Sequence, residues 1–452
     1  MVTVNVVAVL VAGTARAEDA PPWTLADVVR MAQGKNPAVD SARRQLDALE
    51  RQMDEAWWAW FPTIKWRTVA TVIPQQGEPP KSPSEPDLTT QTNFWTKTDL
   101  EAYIPIYTFG KITAVQAQAR HGADMGRQGV RVVESEVAWQ TSRAWYGVQL
   151  SAELARLIDE GESNLEKAKK RLERLEAEDS SDFDQDDKFR LRMYEADVAK
   201  IVKDNRRLGD MARDGLRIAL ALKKDEPLRL PAEPALELLP VTLLDLDAYV
   251  DVALRERPEL LAGRHKVAVQ RAELDRRWAE FFPDFFIAAG FTYAWSTVDF
   301  DSSVFSTVSF NSLGGAATFG FQLTLDYPQK VARYRRAQAD LERVQADVAS
   351  GEGLLRLEIE DVWRETRDLG EMVGINEQAT RAARALFVSK AQAYENGVDD
   401  SVTMKEVLEA AVTHLQRKSE WLRSVYAFNT GVSRLSRVIG TDVTKLPPPS
   451  LP

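Results

Sequence analysis

Residues 24–73 begin with TLADVVRMAQGKNPAV and end with AWWAWFPTIKWRTVATVI, and they decide the fold because this stretch occurs twice. The second copy, residues 244–295, begins with LDLDAYVDVALRERPEL and ends with RRWAEFFPDFFIAAGFTYAW. Pro37 corresponds to Pro258, an offset of 221 (258 − 37), and the Phe-Pro dipeptide after each helical part keeps that offset. A repeat at one fixed offset is typical of an internally duplicated chain. We therefore interpret the sequence as one unit written twice.

The composition limits the class of protein. The 452 residues suffice for two units, and the net charge of −10 argues against a nucleic-acid partner. The chain has no cysteine, which excludes disulfides, thiolate metal sites and a lipidated N-terminal cysteine. Its three histidines are His121, His265 and His414, and none pairs with another at helical spacing. We therefore expect neither a histidine metal site nor a cofactor.

The N-terminus has the pattern of a secretion signal. An apolar run precedes Ala15, Arg16 and Ala17, which fit a small-x-small cleavage site. A basic segment before the apolar run is missing, so a frayed apolar N-terminus remains the alternative. Beyond this run we expect no membrane-spanning helix, because no stretch of about 18 apolar residues follows. These features leave the periplasm or the outer membrane as destinations.

The prolines and the change of hydrophobic period divide the chain into segments. Thr24 is a suitable N-cap, and Pro37 should break the first helix, because proline disfavours helical geometry in the residue before it. The predicted segments are a signal peptide at 1–17, a first repeat at 24–222, a linker at 223–243, a second repeat at 244–440 and a tail at 441–452. Each repeat should contain helices (24–60 and 245–281), a β-hairpin (63–107 and 284–327) and a long coiled-coil hairpin (111–222 and 330–440).

Alternating apolar and polar residues predict the strands. After Pro62, apolar residues such as Ile64 and Trp66 alternate with charged ones, and the same period recurs in the second repeat. Long strands with one polar face and aromatic residues near their ends are typical of transmembrane β-barrels. The predicted lumen-facing residues are Lys65, Arg67, Lys97, Asp99 and Glu101. A hairpin covering the core of a soluble sandwich is the alternative.

The number of strands implies an oligomer if the hairpins lie in a membrane. Two hairpins supply four strands, whereas a closed barrel needs about eight or more. Open strand edges are not tolerated in lipid, so the edges must pair with other copies of the chain. Three copies would give a barrel of twelve strands.

The remaining length is predicted to be coiled coil. Proline is absent from 111–178 and from 330–396, which predicts two helices far longer than a globular domain requires. In the second of these, Leu341, Leu355 and Val362 lie on a seven-residue apolar repeat, the spacing of a coiled-coil seam. The expected fold is therefore mainly α, with a β-barrel part.

The order of these motifs resembles the outer membrane efflux protein family, typified by TolC. The resemblance is carried by the proline breaks, the Phe-Pro helix ends and the sequence IYTFGK at 106–111, which opens the first long helix. The matching joint in the second repeat, DYPQK at 326–330, departs from this motif. The resemblance implies a homotrimer in outer-membrane lipid, with a twelve-stranded barrel and a periplasmic α-helical tunnel. It also implies an exit duct for a tripartite efflux or type I secretion system, with a periplasmic adaptor and an inner-membrane transporter as partners.

Acidic residues concentrate at the predicted tips of the long hairpins, which the resemblance makes the periplasmic mouth. The first tip, 176–187, is EAEDSSDFDQDD, and the second contains NGVDD at 396–400. Crowded carboxylates attract cations, which motivates a hypothesis of a cation-selective gate. The equally open alternative is that these acids only solubilise the turns and cap helices. The gate residues would be Asp399, Asp400, Asp182, Asp184, Asp186 and Asp187, and adaptor docking would involve Asn396, Gly397 and Val398.

Neither a nucleophile elbow nor a phosphate loop is present in the sequence. Ser163 lacks the second glycine of the elbow, and Lys111 lacks the upstream glycine-rich loop. We therefore expect no enzyme. A periplasmic coiled-coil adaptor and a structural spacer remain as alternatives to the duct, although the lipoyl-like modules of an adaptor are not visible and the aromatic strands disfavour a spacer.

Overall fold

The structure is a computed structural model that describes residues 22–75, 91–178, 185–223, 225–297, 311–396 and 403–446. The predicted signal peptide at 1–17 lies outside the described residues, as do parts of both hairpin tips.

One order of elements occurs twice along the chain. The first half contains α1 (Leu25–Lys35), α2 (Pro37–Trp57), β1 (Thr63–Gln75), β2 (Gln91–Tyr107), α3 (Lys111–Ala177) and α4 (Gln185–Ala219). The second half contains α5 (Leu246–Glu256), α6 (Pro258–Ala279), β3 (Asp284–Ser296), β4 (Ser312–Gln322), α7 (Tyr327–Asn396) and α8 (Met404–Ile439). Short 3-10 turns follow α2 and α8. The duplication predicted from the repeat is thereby confirmed.

The first helix break follows from local chemistry. The Thr24 hydroxyl accepts a hydrogen bond from the Asp27 amide (3.3 Å), and the Asp27 carboxylate accepts one from the Thr24 amide (3.2 Å), which makes a capping box. Hydrogen bonds from Thr24 hold the pKa of the Asp27 carboxyl below its ordinary value. The helix ends at Lys35 because Asn36, which precedes Pro37, is extended.

Several element ends differ from the predicted ones. Helix α2 ends at Trp57 and is followed by a 3-10 turn, Trp58–Trp60. The last three residues of the helical segment predicted over 24–60 are therefore 3-10 rather than α-helical. Helix α4 ends at Ala219 rather than 222, where Ala221 adopts a positive φ of 52°. Helix α7 begins before the predicted residue 330, since proline is tolerated in a first helical turn.

The four strands form one antiparallel sheet in the order β1-β2-β3-β4. Strand β1 pairs with β2 through Thr63 and Tyr103, and β3 pairs with β4 through Asp284 and Gln322. The central pairing of β2 with β3 joins the two halves of the chain. Since β1 and β4 are the outer strands, each has one edge that pairs with no other strand among the described residues.

The chain folds into two compact units that do not coincide with the sequence repeats. The first unit comprises the described residues of Met1–Arg43, Gly129–Glu259 and Glu352–Pro452, and the second comprises those of Arg44–Gln128 and Leu260–Gly351. Each unit therefore takes corresponding segments from both halves.

The two units have different cores. Large side chains are fully buried in the first unit, among them Tyr249, Leu216, Ile359 and Leu435. The second unit buries mainly small residues in its helices, such as Ala123, Ala272, Ala279 and Ala337. Small side chains allow helix backbones to approach closely.

The long helices are as extended as the absence of proline predicted. Helix α3 has 67 residues and α7 has 70. Along α7, Leu341, Leu355 and Val362 of the seven-residue repeat are buried, as expected for a coiled-coil seam. None of the helices in the described ranges combines the length and apolarity that a membrane crossing requires.

Candidate functional site

One face of the sheet is apolar and exposed. Pairing in the sheet puts Trp66 opposite Leu100, and Leu100 opposite Phe291, so these residues share a face. Trp66 is 78% exposed and Phe319, on the same face of β4, is 67% exposed. Further exposed side chains on this face are Ile64, Val72, Phe94, Ile287, Tyr293, Trp295, Leu313 and Phe321. A soluble protein rarely leaves so large an apolar surface uncovered, which indicates contact with lipid or with another apolar surface.

The opposite face carries all five predicted lumen residues. Lys65 lies opposite Glu101 and Arg67 lies opposite Asp99, so each cation is paired with an acid across the β1–β2 ladder. Lys97 on the same face forms an ion pair with Asp99 at 3.1 Å. Opposite charges on neighbouring strands stabilise a sheet, and here they also produce a hydrated, charged surface.

The polar face continues onto β3, where its character changes. The Thr292 hydroxyl donates a hydrogen bond to Asp99 Oδ1 at 2.8 Å across the β2–β3 pairing. The neighbouring residues of this face on β3 are small, namely Ala288, Gly290 and Ala294. The charges of the polar face therefore concentrate on the first hairpin, while the second hairpin contributes small side chains.

A lysine anchors each strand-to-helix joint of the second unit. At the first joint, Phe109 and Gly110 have positive φ values of 50° and 94°, and the Lys111 ammonium donates to the Phe282 carbonyl (3.1 Å) and to Asp284 (2.8 Å). The Phe109 ring stacks on Phe282, with ring centroids 5.0 Å apart. The IYTFGK motif thus ties the first hairpin to the start of β3.

The second joint, between β4 and α7, also contains a lysine, but its contacts differ. Lys330 lies one turn inside α7 and is only 5% exposed. Its ammonium donates to the Thr324 carbonyl at 2.5 Å. Although the sequence at this joint departs from IYTFGK, a lysine again fixes the chain where it leaves the sheet.

The first hairpin tip is described in part. Asp182 and Asp184 lie outside the described residues, while Asp186 and Asp187 form the first turn of α4. Asp186 is exposed, but Asp187 is buried and its carboxylate pairs with Arg190 one turn later, at 2.9 Å. This contact gives the Asp187 carboxylate a partner within α4.

The acids and docking residues of the second tip are almost entirely outside the described part. Asp399, Asp400, Gly397 and Val398 are not described, and Asn396 is the last residue of α7. The roles suggested for them therefore stay predictions.

Contacts just short of the tips hold the two long hairpins together within the first unit. Arg171 of α3 donates to the Tyr394 hydroxyl of α7 at 3.1 Å, and its guanidinium also lies 4.8 Å from the centre of the Tyr394 ring. Lys390 of α7 pairs with Glu406 of α8 at 3.0 Å. A small apolar cluster of Leu172, Leu191 and Leu408 joins α3, α4 and α8.

The fold also assembles one cluster that sequence reasoning missed. His121, Asp124 and His265 offer three possible metal ligands whose atoms lie within 4.8 Å of one another. Spacing along a single helix could not reveal this group, because the two histidines belong to different helices. The available signal was the spacing of His121 and Asp124, which puts both on one face of α3.

Sequence comparison matches the second half of the chain to a known family. Residues 249–441 match the sequence model of the outer membrane efflux protein family. Among curated proteins, no sequence matches the chain.

Solved structures with the same fold match almost the whole chain. The outer-membrane channel OprN matches with a TM-score of 0.73 at 17% identity, over 93% of this chain and 90% of that one. The open-state MtrE outer membrane channel of Neisseria gonorrhoeae matches with a TM-score of 0.72 at 14% identity, over 93% and 89%. The outer membrane protein VceC of Vibrio cholerae matches with a TM-score of 0.73 at 16% identity, over 93% and 96%.

These structural likenesses establish the fold, and the sequence match relates the second half of the chain to the family. The duplicated order of helices and strands agrees with both. The whole chain therefore has the fold of outer-membrane channels, and its residues 249–441 match the outer membrane efflux protein family.

Proposed function

We propose that three copies of this chain assemble into a twelve-stranded barrel in outer-membrane lipid and a helical tunnel in the periplasm. The assembly serves as the passive exit duct of a tripartite efflux or type I secretion system. The observation that carries this proposal is the four-stranded sheet, which has one exposed apolar face and one charged face.

The strand lengths support a membrane location for the sheet. The four strands have 13, 17, 13 and 11 residues, and a tilted transmembrane strand needs about 9–11. Exposed side chains such as Trp66 and Phe319 would contact lipid, and Lys65, Arg67, Lys97, Asp99 and Glu101 would face a water-filled lumen. This arrangement matches the alternation expected of a barrel that conducts hydrated solutes.

The open edges support a trimer. Backbone groups at the free edges of β1 and β4 would be unsatisfied in lipid, at a cost of several kcal/mol each. Pairing β4 of one copy with β1 of the next satisfies them, and a ring of three such sheets has no remaining edge.

The long helices support a periplasmic extension and its partners. Helices α3 and α7 extend far past the length needed to cover one hairpin. Their tips would meet the periplasmic adaptor, with Asn396, Gly397 and Val398 as docking residues, and the adaptor would connect the duct to an inner-membrane transporter.

The tip acids would act as a gate that prefers cations. Threefold symmetry would bring three copies of Asp399 and Asp400 near one another, with Asp182, Asp184 and Asp186 around them. Asp187 would belong to the same group of acids, with its charge partly offset by the ion pair with Arg190. Crowded carboxylates concentrate cations at a pore mouth.

The test is planar-bilayer conductance of the full-length protein, purified from outer membranes, together with its mass in detergent. A trimer with discrete, cation-preferring conductance steps is expected. A monomer without conductance would contradict the proposal and would favour a soluble packing of the hairpins. Membrane fractionation separates the alternatives, because an adaptor would be found with the inner membrane and a spacer in the soluble fraction.

A further inference from the structure

We propose that His121, Asp124 and His265 form a binding site for a divalent transition-metal ion within the second compact unit. This site is independent of the duct function, because it depends only on side chains of one chain. Among the residues that the structure describes, this is the one group of three or more metal-ligating side chains with suitable spacing.

The geometry brings three donors of the right type to one point. Asp124 Oδ2 lies 3.8 Å from His121 Nδ1 and 3.9 Å from His265 Nδ1, so one carboxylate oxygen faces both rings. The ring centroids are 5.8 Å apart and the ring planes are inclined by 33°. Zinc binds such ligands at about 2.0–2.1 Å in a tetrahedron, which separates the donor atoms by about 3.4 Å. The two nitrogen–oxygen distances exceed that separation by only about 0.4–0.5 Å.

One buried polar atom of the cluster also lacks a hydrogen-bond partner. His121 Nδ1 is buried and has no hydrogen-bond partner among the described residues. A buried polar atom without a partner is costly, and coordination to a cation would relieve that cost. The two imidazoles face a shared carboxylate rather than separate partners, which is the arrangement that an ion would stabilise.

The surrounding residues orient the carboxylate. Arg127 holds the other oxygen of Asp124, Oδ1, at 2.5 Å and also pairs with Glu50 at 3.0 Å. This leaves Oδ2 directed at the histidines, as the carboxylate of a metal site is normally fixed by an outer contact. Glu50 offsets the positive charge of Arg127 that would otherwise oppose a cation.

The two helices that supply the ligands are fastened to each other nearby. Gln118 of α3 donates to Glu273 of α6 at 2.6 Å, on the same pair of helices as the two histidines. A site built on two rigid helices holds its ligands better than one on loops. An ion here would clamp α3 of the first half to α6 of the second half.

The donor set indicates the class of metal. Two imidazole nitrogens and one carboxylate oxygen suit zinc, cobalt, nickel or copper(II) rather than magnesium or calcium, which prefer oxygen ligands. The cluster is partly exposed, with 33%, 26% and 31% of the three side chains accessible, so water can complete the coordination. Three protein ligands leave the fourth position of a tetrahedral ion open to water.

Zinc titration of the full-length protein in detergent tests the site. The protein is purified without a polyhistidine tag and stripped with a chelator before isothermal titration. We expect one zinc ion per chain and at least a tenfold loss of affinity in His121→Gln and in His265→Gln. His414→Gln is the matched control, because it removes the remaining histidine, which lies in the first unit against Phe387. It should bind zinc as the unchanged protein does.

Two further measurements test whether the ion binds directly at the three residues. Cobalt(II) in place of zinc should give intense visible absorption in the unchanged protein and lose it in Asp124→Asn. Zinc should also raise the unfolding temperature of the unchanged protein but not that of the two glutamine variants, because an ion that binds only the folded state stabilises it. Absence of stoichiometric binding, or equal zinc affinity in the unchanged protein and both variants, would overturn the proposal.

Discussion

At the scale of single residues, Glu273 is an acid whose pKa is strongly lowered by its neighbours. Its carboxylate accepts hydrogen bonds from Arg276 (2.7 and 2.8 Å), from Arg277 (2.7 Å) and from Gln118 (2.6 Å). Burial raises the pKa of Glu273, but the bonds from Arg276 and Gln118 and the two nearby positive charges outweigh it and lower the pKa to about 2. The folded protein therefore keeps this group ionised at pH values where the unfolded chain would protonate it.

Replacing Glu273 should change how the free energy of unfolding depends on pH. Because the folded pKa is below the ordinary 4.5, the stabilisation is complete above about pH 4.5 and is lost as the pH falls towards 2. Glu273→Gln should cost about 1 kcal/mol near neutral pH, after allowance for solvent screening, and almost nothing near pH 2. Thermal unfolding of both proteins across this pH range measures the difference. Glu342→Gln, which removes an exposed carboxylate bonded to Gln338, should show no such trend.

At the scale of elements, Gly440 fixes the end of α8. It caps the helix with a left-handed φ of 79°, and a Cβ there would lie 2.8 Å from Arg257 Cα and 3.1 Å from the Glu256 carbonyl oxygen. Both neighbours are backbone atoms of the break between α5 and α6, so they cannot move aside easily. The close approach leaves no room for a Cβ at this helix end.

Gly440→Ala should therefore destabilise the first unit by about 2–4 kcal/mol, from left-handed backbone strain together with overpacking. Gly353→Ala is the matched control, since Gly353 lies within α7 with no atom near its missing Cβ. That change should stabilise the helix by up to about 1 kcal/mol. Chemical denaturation measures the free energy of unfolding of both variants. Equal values for the two would mean that Gly440 is not confined by its neighbours.

Adjacent residues of β2 allow a test of which sheet face meets lipid. Leu100 lies on the apolar face and Glu101 on the charged face. Leu100→Lys should cost about 2 kcal/mol on insertion, because a charge on the lipid face is poorly solvated, whereas Glu101→Lys should insert normally. The amount of each variant recovered in the outer membrane is the measurement. Equal recovery would contradict the assigned faces.

Most elements were predictable because their signals are local. Proline at 37 and 258 determines the helix breaks, and the alternation around Trp66 determines the strands without any knowledge of tertiary contacts. The ends of α2 and α7 were misplaced because the 3-10 turn after Trp57 and the proline inside the first turn of α7 depend on packing at the joint. Helix ends are decided by such contacts more than by propensity.

At the scale of the whole molecule, what could not be predicted is the contact between distant helices. Gln118 and Glu273 are 155 positions apart, and only the packing of α3 against α6 brings His121 to His265. The hydrophobic period of the sequence indicates which face of a helix is buried, but it does not indicate which other helix packs on that face. The five predicted lumen residues came from alternation along each strand, which indicates the face of a residue but not its partner, and strand pairing now puts Arg67 opposite Asp99.

Ion selectivity is the property of the whole assembly that the tip acids should control. If three copies of Asp399 and Asp400 crowd the periplasmic mouth, their repulsion draws cations there, and the double change to asparagine should abolish the cation preference while the channel still conducts. Reversal potentials under a salt gradient measure this directly. Asp225→Asn with Glu226→Gln is the matched control, because it removes two adjacent acids from the linker between the repeats.

The control separates the gate from a general effect of charge. Both double variants remove the same number of negative charges per chain, so a preference lost only in the tip variant must come from the tip. If both variants keep the preference, the tip acids act only as solubilising and helix-capping residues, and the charged face of the sheet becomes the source of selectivity. Arg67 and Asp99 would then be the pair to change, because they lie opposite each other on that face.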